Sequence, residues 1–382
     1  MAKKDILPRI LVVGPLPPPV SGTGVSFQLF CNEVQRHTET HHLEIIDSSP
    51  KYLKEKNSII SLSNYRQSLR IYKQFCQKVT TVDQVLLFGS NGFVLLMVPI
   101  LLTIAKIARK PCYVRVFGGS LDQFTDELRP MFRWLLLFTL RHADGLIVQT
   151  KRLYNHFLTL IGPSVYLVPG YRSMDFSKNG SPRPLTKAGD NLRLAFVGIV
   201  KAEKGIFVLL ESLRQLTLSG NESINCDIFG LISESSATQF EAELAQTKNA
   251  TYGGVLSPEM VVPKLRNYDA LVLPTFYDGE GHPGVLIEAM MAGIPVITTK
   301  FRSIPELVED RANGLLVAPG DAKSLAAAIK TIDKDRQLLV EMGKRNWERR
   351  TRYDARRVIP LILQPLGVNI QAPSTALLEA YQ

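Results

Sequence analysis

The chain has 382 residues, 45% hydrophobic and 21% charged, a length that points to two domains and a composition that excludes disorder, collagen-like repeats or a coiled coil for its bulk. Lys and Arg number 45 against 35 Asp and Glu. The excess is uneven: residues 1–175 hold 21 and 12, or +9, and residues 176–382 hold 24 and 23, or +1. Taken in order, the start has only the apolar run 10–13 behind its basic residues, too short for a signal-peptide core, so a cytoplasmic protein is expected. That run reads as a buried strand, followed by Gly14-Pro-Leu-Pro-Pro-Pro19 and a helix over 21–30. A strand at 84–88, an apolar helix at 93–108, a strand at 113–117, a helix at 130–142 and a strand at 145–149 follow. The uncharged stretch 93–105 has 13 residues, short of the ~20 that cross a bilayer. It reads as a crossover helix packed on a sheet. The run Trp134 to Phe138 reads likewise as part of an amphipathic core helix, with dipping into a membrane interface as the other reading.

Residues 176–191, rich in Pro and Gly with no apolar run, read as a linker. The rhythm restarts with strands at 192–197, 226–229, 270–273 and 295–298, and helices at 205–216, 285–292, 321–332 and a long helical stretch near 335–363. Strands alternating with helices predict an α/β protein with parallel sheets: two Rossmann-like domains facing each other across a cleft. Ligands of such sheets bind at the carboxyl ends of the strands. Cys31, Cys76, Cys112 and Cys226 form no Cys-x-x-Cys pair; reduced thiols are expected, with no disulfide framework and no zinc site.

Chemistry concentrates after the strand at 270–273. Pro274 ends it, a loop carries Glu280-Gly281-His282, and Pro283-Gly284 opens a helix holding Glu288. First-turn N–H groups of Gly284 and Val285 form an anion site suited to a diphosphate. Carboxylates on either side of it can accept hydrogen bonds from sugar hydroxyls. As bare spacing, Glu280 reads more readily as a helix cap and Glu288 as a surface residue.

The full wording resembles the retaining nucleotide-sugar glycosyltransferases of family 4, which have the GT-B fold. Glu280 to Glu288 reproduces their Glu-x7-Glu motif, and the likeness continues through Pro305-Glu306-Leu-Val, Asn313-Gly314-Leu-Leu-Val and Pro319-Gly320-Asp321. The resemblance implies that Glu280 faces the transferred sugar, Glu288 holds the ribose, and a C-terminal helix returns to the first domain. Domains are then expected at 1–175 (acceptor-binding), 192–345 (nucleotide-sugar-binding) and 346–382 (returning helix and tail). Phe196 to Gly205 resembles the family's Val-Gly-Arg…Lys-Gly segment, so Gly198 and Lys204 are expected at the donor diphosphate. Ile199 stands where the family has Arg, and Lys201 is the candidate substitute for that charge. The loop from Gly14 to Gly24 resembles the Pro-Pro-x-x-Gly-Gly loop, placing Gly22 and Gly24 near the donor.

Other positions depart from the family. Phe117-Gly118 stands at a common His-Gly, so the histidine's role passes to Arg115, Ser120 or Asp122, or is absent. Pro169-Gly170 lacks the usual Asn. His282 is expected beside the sugar, acting by packing or one hydrogen bond. Five arginines between 349 and 357 read as a docking or solvated face. The expected reaction is sugar transfer, with retention, from a nucleotide diphosphate sugar to a glycan or lipid-linked acceptor in surface polysaccharide biosynthesis, with neither cofactor nor bound metal. Two rivals are a nucleotide-sugar epimerase on the same fold and a binding-only degenerate subunit. The +9 of the first half suits an anionic membrane face or lipid-linked diphosphate; solubilising charge is the plainer alternative. Nucleic acid is not expected, since no basic motif interleaved with aromatics occurs.

Overall fold

The computed structural model describes residues 8–37, 43–49, 62–173, 191–221 and 223–368; of the expected linker, only Asn191 lies within them. The chain divides into two compact units, residues 1–173 with 353–382, and residues 174–352.

The first unit holds six parallel strands: β1 Ile10–Gly14, β2 Leu43–Asp47, β3 Gln84–Gly89, β4 Cys112–Val116, β5 Gly145–Val148 and β6 Val165–Leu167, in the order β2-β1-β3-β4-β5-β6. Central strands such as β5 (Gly-Leu-Ile-Val) are buried throughout, because helices cover both faces of a parallel sheet. Those helices are α1 Gly22–His37, α2 Leu62–Lys78, α3 Asn91–Leu96, α4 Val98–Ile107, α5 Leu121–Glu127, α6 Pro130–His142 and α7 Lys151–Ile161. The expected helix 93–108 is two helices. Pro99, in the first turn of α4, has no N–H to continue the ladder from α3.

The second unit repeats the plan with β7 Leu192–Val197, β8 Ile224–Phe229, β9 Ala250–Tyr252, β10 Ala270–Leu273, β11 Val296–Thr299 and β12 Gly314–Val317, ordered β12-β11-β10-β7-β8-β9. Its helices are α8 Ile206–Leu218, α9 Ala237–Ala245, α10 Pro258–Leu265, α11 Gly284–Ala292, α12 Ala322–Lys334 and α13 Arg336–Arg349. Strand order reverses between β7 and β10, as it does between β1 and β3 in the first unit. At such a switch point the connections leave on opposite faces and open a crevice at the strands' carboxyl ends.

The expected helical stretch near 335–363 is broken. After α13 comes a short 3₁₀ turn, Arg350–Tyr353, and the Asp354 side chain accepts the Arg356 N–H at 3.1 Å to start α14, Ala355–Leu363. α13 belongs to the second unit, and the chain re-enters the first at Tyr353. There Val358, Ile359, Ile362 and Leu363 join a buried cluster with Phe27, Phe30, Phe88 and Phe117. The C-terminal helix thus returns to the first domain as expected. Of the five arginines, Arg350 lies over the Trp347 ring at 3.8 Å, while Arg349 and Arg356 pair with Glu309 and Asp354. Among the described residues no helix is long and apolar enough to cross a membrane.

Candidate functional site

In the second unit the switch point brings two loops together. After β7 the chain runs through Gly198 into a 3₁₀ turn at Ala202–Lys204, and Gly205 starts the entry to α8 at φ 79°. A Cβ on Gly205 would lie 2.1 Å from the Pro274 carbonyl oxygen at the end of β10. Glycine is required there, by conformation and by close approach. The two loops are stitched by backbone: Phe276 donates to the Glu203 carbonyl at 2.8 Å.

That stitching places Lys204 on Glu280. The ammonium donates to a Glu280 carboxylate oxygen, which also accepts the Thr275 hydroxyl at 2.9 Å. The Lys204 Nζ lies over the Tyr277 ring, 4.7 Å from its centroid. Glu280 is 6% exposed, so its charge has left most of its water and is held by the lysine and the hydroxyl. Two residues expected to serve different parts of a donor, sugar and diphosphate, are therefore partners in this structure.

Glu288 is buried as well, 9% exposed, in the second turn of α11; it is no surface residue. Gly284 and Val285 occupy the first turn, whose N–H groups have no carbonyl one turn back within the helix, and Pro283 offers no side-chain cap. Gly281 is buried in the loop before them. The His282 side chain is 3% exposed, with Nε2 3.5 Å from a Glu306 carboxylate oxygen. Lys201 is tied to Glu203 at 3.2 Å in solvent, and Ile199 is 41% exposed. Thr275 and Tyr277 are the functional candidates that sequence reading missed. Their position between Pro274 and Glu280 was the available signal, but only folding shows which atoms they meet.

In the first unit, Gly22 and Gly24 lie in the first turn of α1 rather than in the loop, and the Gly24 N–H donates to the Ser21 hydroxyl at 3.1 Å. Phe117 is core: its ring sits 5.7 Å from Phe88, which also packs on Phe27 and Phe30. Arg115 is fully buried, donating to the Pro169 carbonyl at 3.1 Å, and burial lowers its pKa to about 10. Asp122 is held by Arg152 at 2.6 Å, Ser120 accepts the Asn91 amide at 3.1 Å, and Gly118 turns the chain after β4 at φ 89°. The three candidates for the histidine's role are thus each engaged within the unit. Among the described residues no group of three or more His, Cys, Asp or Glu could hold a metal ion.

Two doubly wound parallel sheets with these loops at the second switch point define the GT-B class of glycosyltransferase fold. Two solved structures share this fold. HepE of Anabaena, solved with UDP, superposes with a TM-score of 0.68 at 15% identity, over 94% of this chain and 99% of that one. Sucrose-phosphate synthase of Thermosynechococcus elongatus does so at 0.71 and 15%, over 94% and 98%. Residues 177–349, nearly the whole of the second unit, match the family described as Glycosyl transferases group 1. The chain is 34% identical over 224 residues to the putative colanic acid biosynthesis glycosyltransferase WcaL of Escherichia coli, covering 56% of this chain and 52% of that protein. It is 26% identical over 154 residues to the capsular polysaccharide biosynthesis glycosyltransferase CapM of Staphylococcus aureus, covering 40% of each. The chain thus spans about half or less of the curated relatives it matches.

Proposed function

We propose that this protein is a retaining glycosyltransferase that moves a sugar from a nucleotide diphosphate donor to a glycan or lipid-linked saccharide during surface polysaccharide synthesis. The observation that carries this reading is the buried Glu280 carboxylate held by Lys204 where the loops after β7 and β10 meet, with Glu288 buried in the second turn of the helix that follows. The names of the relatives, WcaL and CapM among them, support the polysaccharide setting.

The bond from the anomeric carbon to the diphosphate oxygen breaks, and carbon takes on oxocarbenium character. Negative charge grows on the departing phosphate, where Lys204 and the Gly284 and Val285 N–H groups lower its energy. Lys204 thereby exchanges part of its hold on Glu280 for the phosphate, and Glu280 turns a carboxylate oxygen toward a sugar hydroxyl. Glu288 accepts from the ribose. The acceptor hydroxyl attacks from the same face the leaving group departs, its proton passing to the departing phosphate oxygen. Asp333-Lys-Asp335, the sequence's Asp-x-Asp, is taken up locally: Asp335 caps α13 and Asp333 pairs with Arg336. We propose transfer without bound metal. The basic first half, at +9, would meet a lipid-linked diphosphate on an anionic cytoplasmic membrane face.

A binding-only subunit is favoured by one observation, the exposed Ile199 where the family carries a diphosphate-binding Arg. The test is thermal stabilisation by uridine and guanosine diphosphate sugars, followed by calorimetric titration of nucleoside diphosphate and an assay for acceptor-dependent release. Glu288→Ala should weaken binding by about 1.5–3 kcal/mol, the scale of lost charged hydrogen bonds. Unchanged affinity would remove Glu288 from the ribose; binding without release would favour the degenerate subunit, and release or isomerisation independent of acceptor would favour the epimerase.

A further inference from the structure

The sequence marks Trp134 to Phe138 and the 93–108 stretch as core helices, yet both leave large apolar side chains in solvent. On α3 and α4, Leu96, Ile100 and Ile107 are exposed at spacings of four and seven residues; on α6, Met131, Trp134 and Phe138 are exposed at three and four. Met131, Trp134 and Ile107 reach 68%, 62% and 78%. The buried stripes of the same helices, such as Leu101 and Leu136, already face the sheet. These outer stripes are therefore a second apolar face, at the helical period, that the core does not use. The helices pack side by side, and an apolar groove of about 460 Å³ runs between them, lined by Leu102 and Leu135 among others. Trp134 and Phe138 stack at 5.1 Å, and Phe138 meets the His142 ring at 4.1 Å, a ladder of rings along the outer side of α6.

Charge selects the occupant. Neither α4 nor α6 contains an Asp or Glu. Residues 91–142 carry six Lys or Arg besides the buried Arg115, and three Asp or Glu. Two of the basic groups are partly neutralised, Arg133 by Asp126 at 3.2 Å and Lys106 by Asp144 at 2.8 Å, which leaves the segment clearly positive. Exposed Trp, Phe and aliphatic side chains among cations suit a layer apolar at depth and anionic at its surface. A protein partner of matching charge would have to leave the basic rim in contact with carboxylates around a dry groove; an anionic bilayer supplies both environments at once. We propose that the α4–α6 face is a membrane-insertion surface, lying in the interface of an anionic bilayer with Trp134, Met131 and Ile107 at acyl depth and Lys106, Arg129 and Arg141 at headgroup level. This deepens the membrane-face part of the proposed function and rests on it only for the choice of lipid.

The chain has two tryptophans, and Trp347 is buried, so Trp134 reports insertion directly. Full-length protein is mixed, without donor or acceptor, with vesicles of phosphatidylglycerol and phosphatidylcholine in equal parts or of phosphatidylcholine alone. Anionic vesicles should shift the emission to the blue, and acyl-brominated lipid should quench it; Trp134→Phe should abolish both while still co-sedimenting. Ile107→Ser with Met131→Ser, both exposed and outside the core, should weaken co-sedimentation at least about tenfold. Salt-sensitive sedimentation with no change at Trp134 would overturn insertion and leave a charge-only attachment. An equal shift with neutral vesicles would overturn the anionic choice. A lipid-free shift that grows with protein concentration would assign the face to a second copy of the chain. No sedimentation on any vesicle would overturn both insertion and the membrane-face reading, leaving sugar transfer to its own assay.

Discussion

Deleting the Lys204 ammonium leaves the Glu280 carboxylate, 6% exposed, leaning on the Thr275 hydroxyl. A partly buried carboxylate that loses its cation keeps its desolvation cost without the attraction that offset it. Lys204→Ala should therefore lower stability modestly, since the lysine is itself part-exposed, and should lower turnover by about 10²–10³-fold, the scale of one lost transition-state donor. Glu280→Gln separates the two roles. The amide keeps the shape and can still accept from Thr275, but it no longer neutralises the ammonium. Nucleoside diphosphate should then bind at least as tightly as to the wild type while transfer collapses. Steady-state rates and titration calorimetry on the same two variants check this pair. Lys201→Ala should be mild, because its partner Glu203 is a solvent-exposed ion pair that contributes little. A larger loss with Lys201→Ala than with Lys204→Ala would move the phosphate clamp to Lys201.

The stretch Asn313-Gly-Leu-Leu-Val matches the family's offsets, and in the element it forms its work is structural. Gly314 opens β12, while Asn313 and Asn346 of α13 are fully buried and bonded to each other. The Asn313 amide donates to the Asn346 side-chain oxygen at 2.9 Å, and the Asn346 amide donates at 2.8 Å to the carbonyls of Ile294 and Asn313. These bonds pin α13 to the ends of α11 and β12. Asn346→Ala would strand several buried polar groups at once, so a loss of about 3 kcal/mol is expected in urea unfolding. Loss below about 1 kcal/mol would mean that water replaces the amide. Neither asparagine's partner was legible in the sequence, because residues 33 apart in the chain meet only when α13 docks. Helix α6 carries the complementary lesson. Its apolar spacing correctly announced a helix, but a helix with two apolar stripes does not say which one faces the sheet.

At the level of the whole chain, the second unit interrupts the first. Residues 174–352 are inserted before α14, whose Val358, Ile359, Ile362 and Leu363 are at most 1% exposed among the aromatic rings of α1 and β3. Four such side chains contribute about 1.5–3 kcal/mol each, a sum comparable with the ~5–15 kcal/mol that holds a domain folded. A chain ending at Arg352 should thus keep the second unit, whose residues all precede that point, and lose cooperative folding of the first. Limited proteolysis should cut the truncated chain within residues 8–173 while sparing 191–349. Equal protection of both units would show that α1 and the sheet hold without α14.

How much of this molecule was written in the sequence depends on the range of the interactions involved. Alternating apolar runs and helical periods announced the parallel α/β units, and the Glu280–Glu288 spacing announced the candidate site, because strand burial, helix starts and one-turn offsets are properties of neighbouring residues. The break after Tyr353, the burial of Phe117 and the pairing of Asn313 with Asn346 lay beyond that range. Each depends on which side of an element meets another element. The Lys204–Glu280 contact is the clearest case. Its partners are 76 residues apart, each stands in the sequence as a candidate donor-site residue, and nothing in either local pattern aims one at the other. Only the reversal of strand order between β7 and β10 brings their loops to one place, and strand order is a tertiary choice.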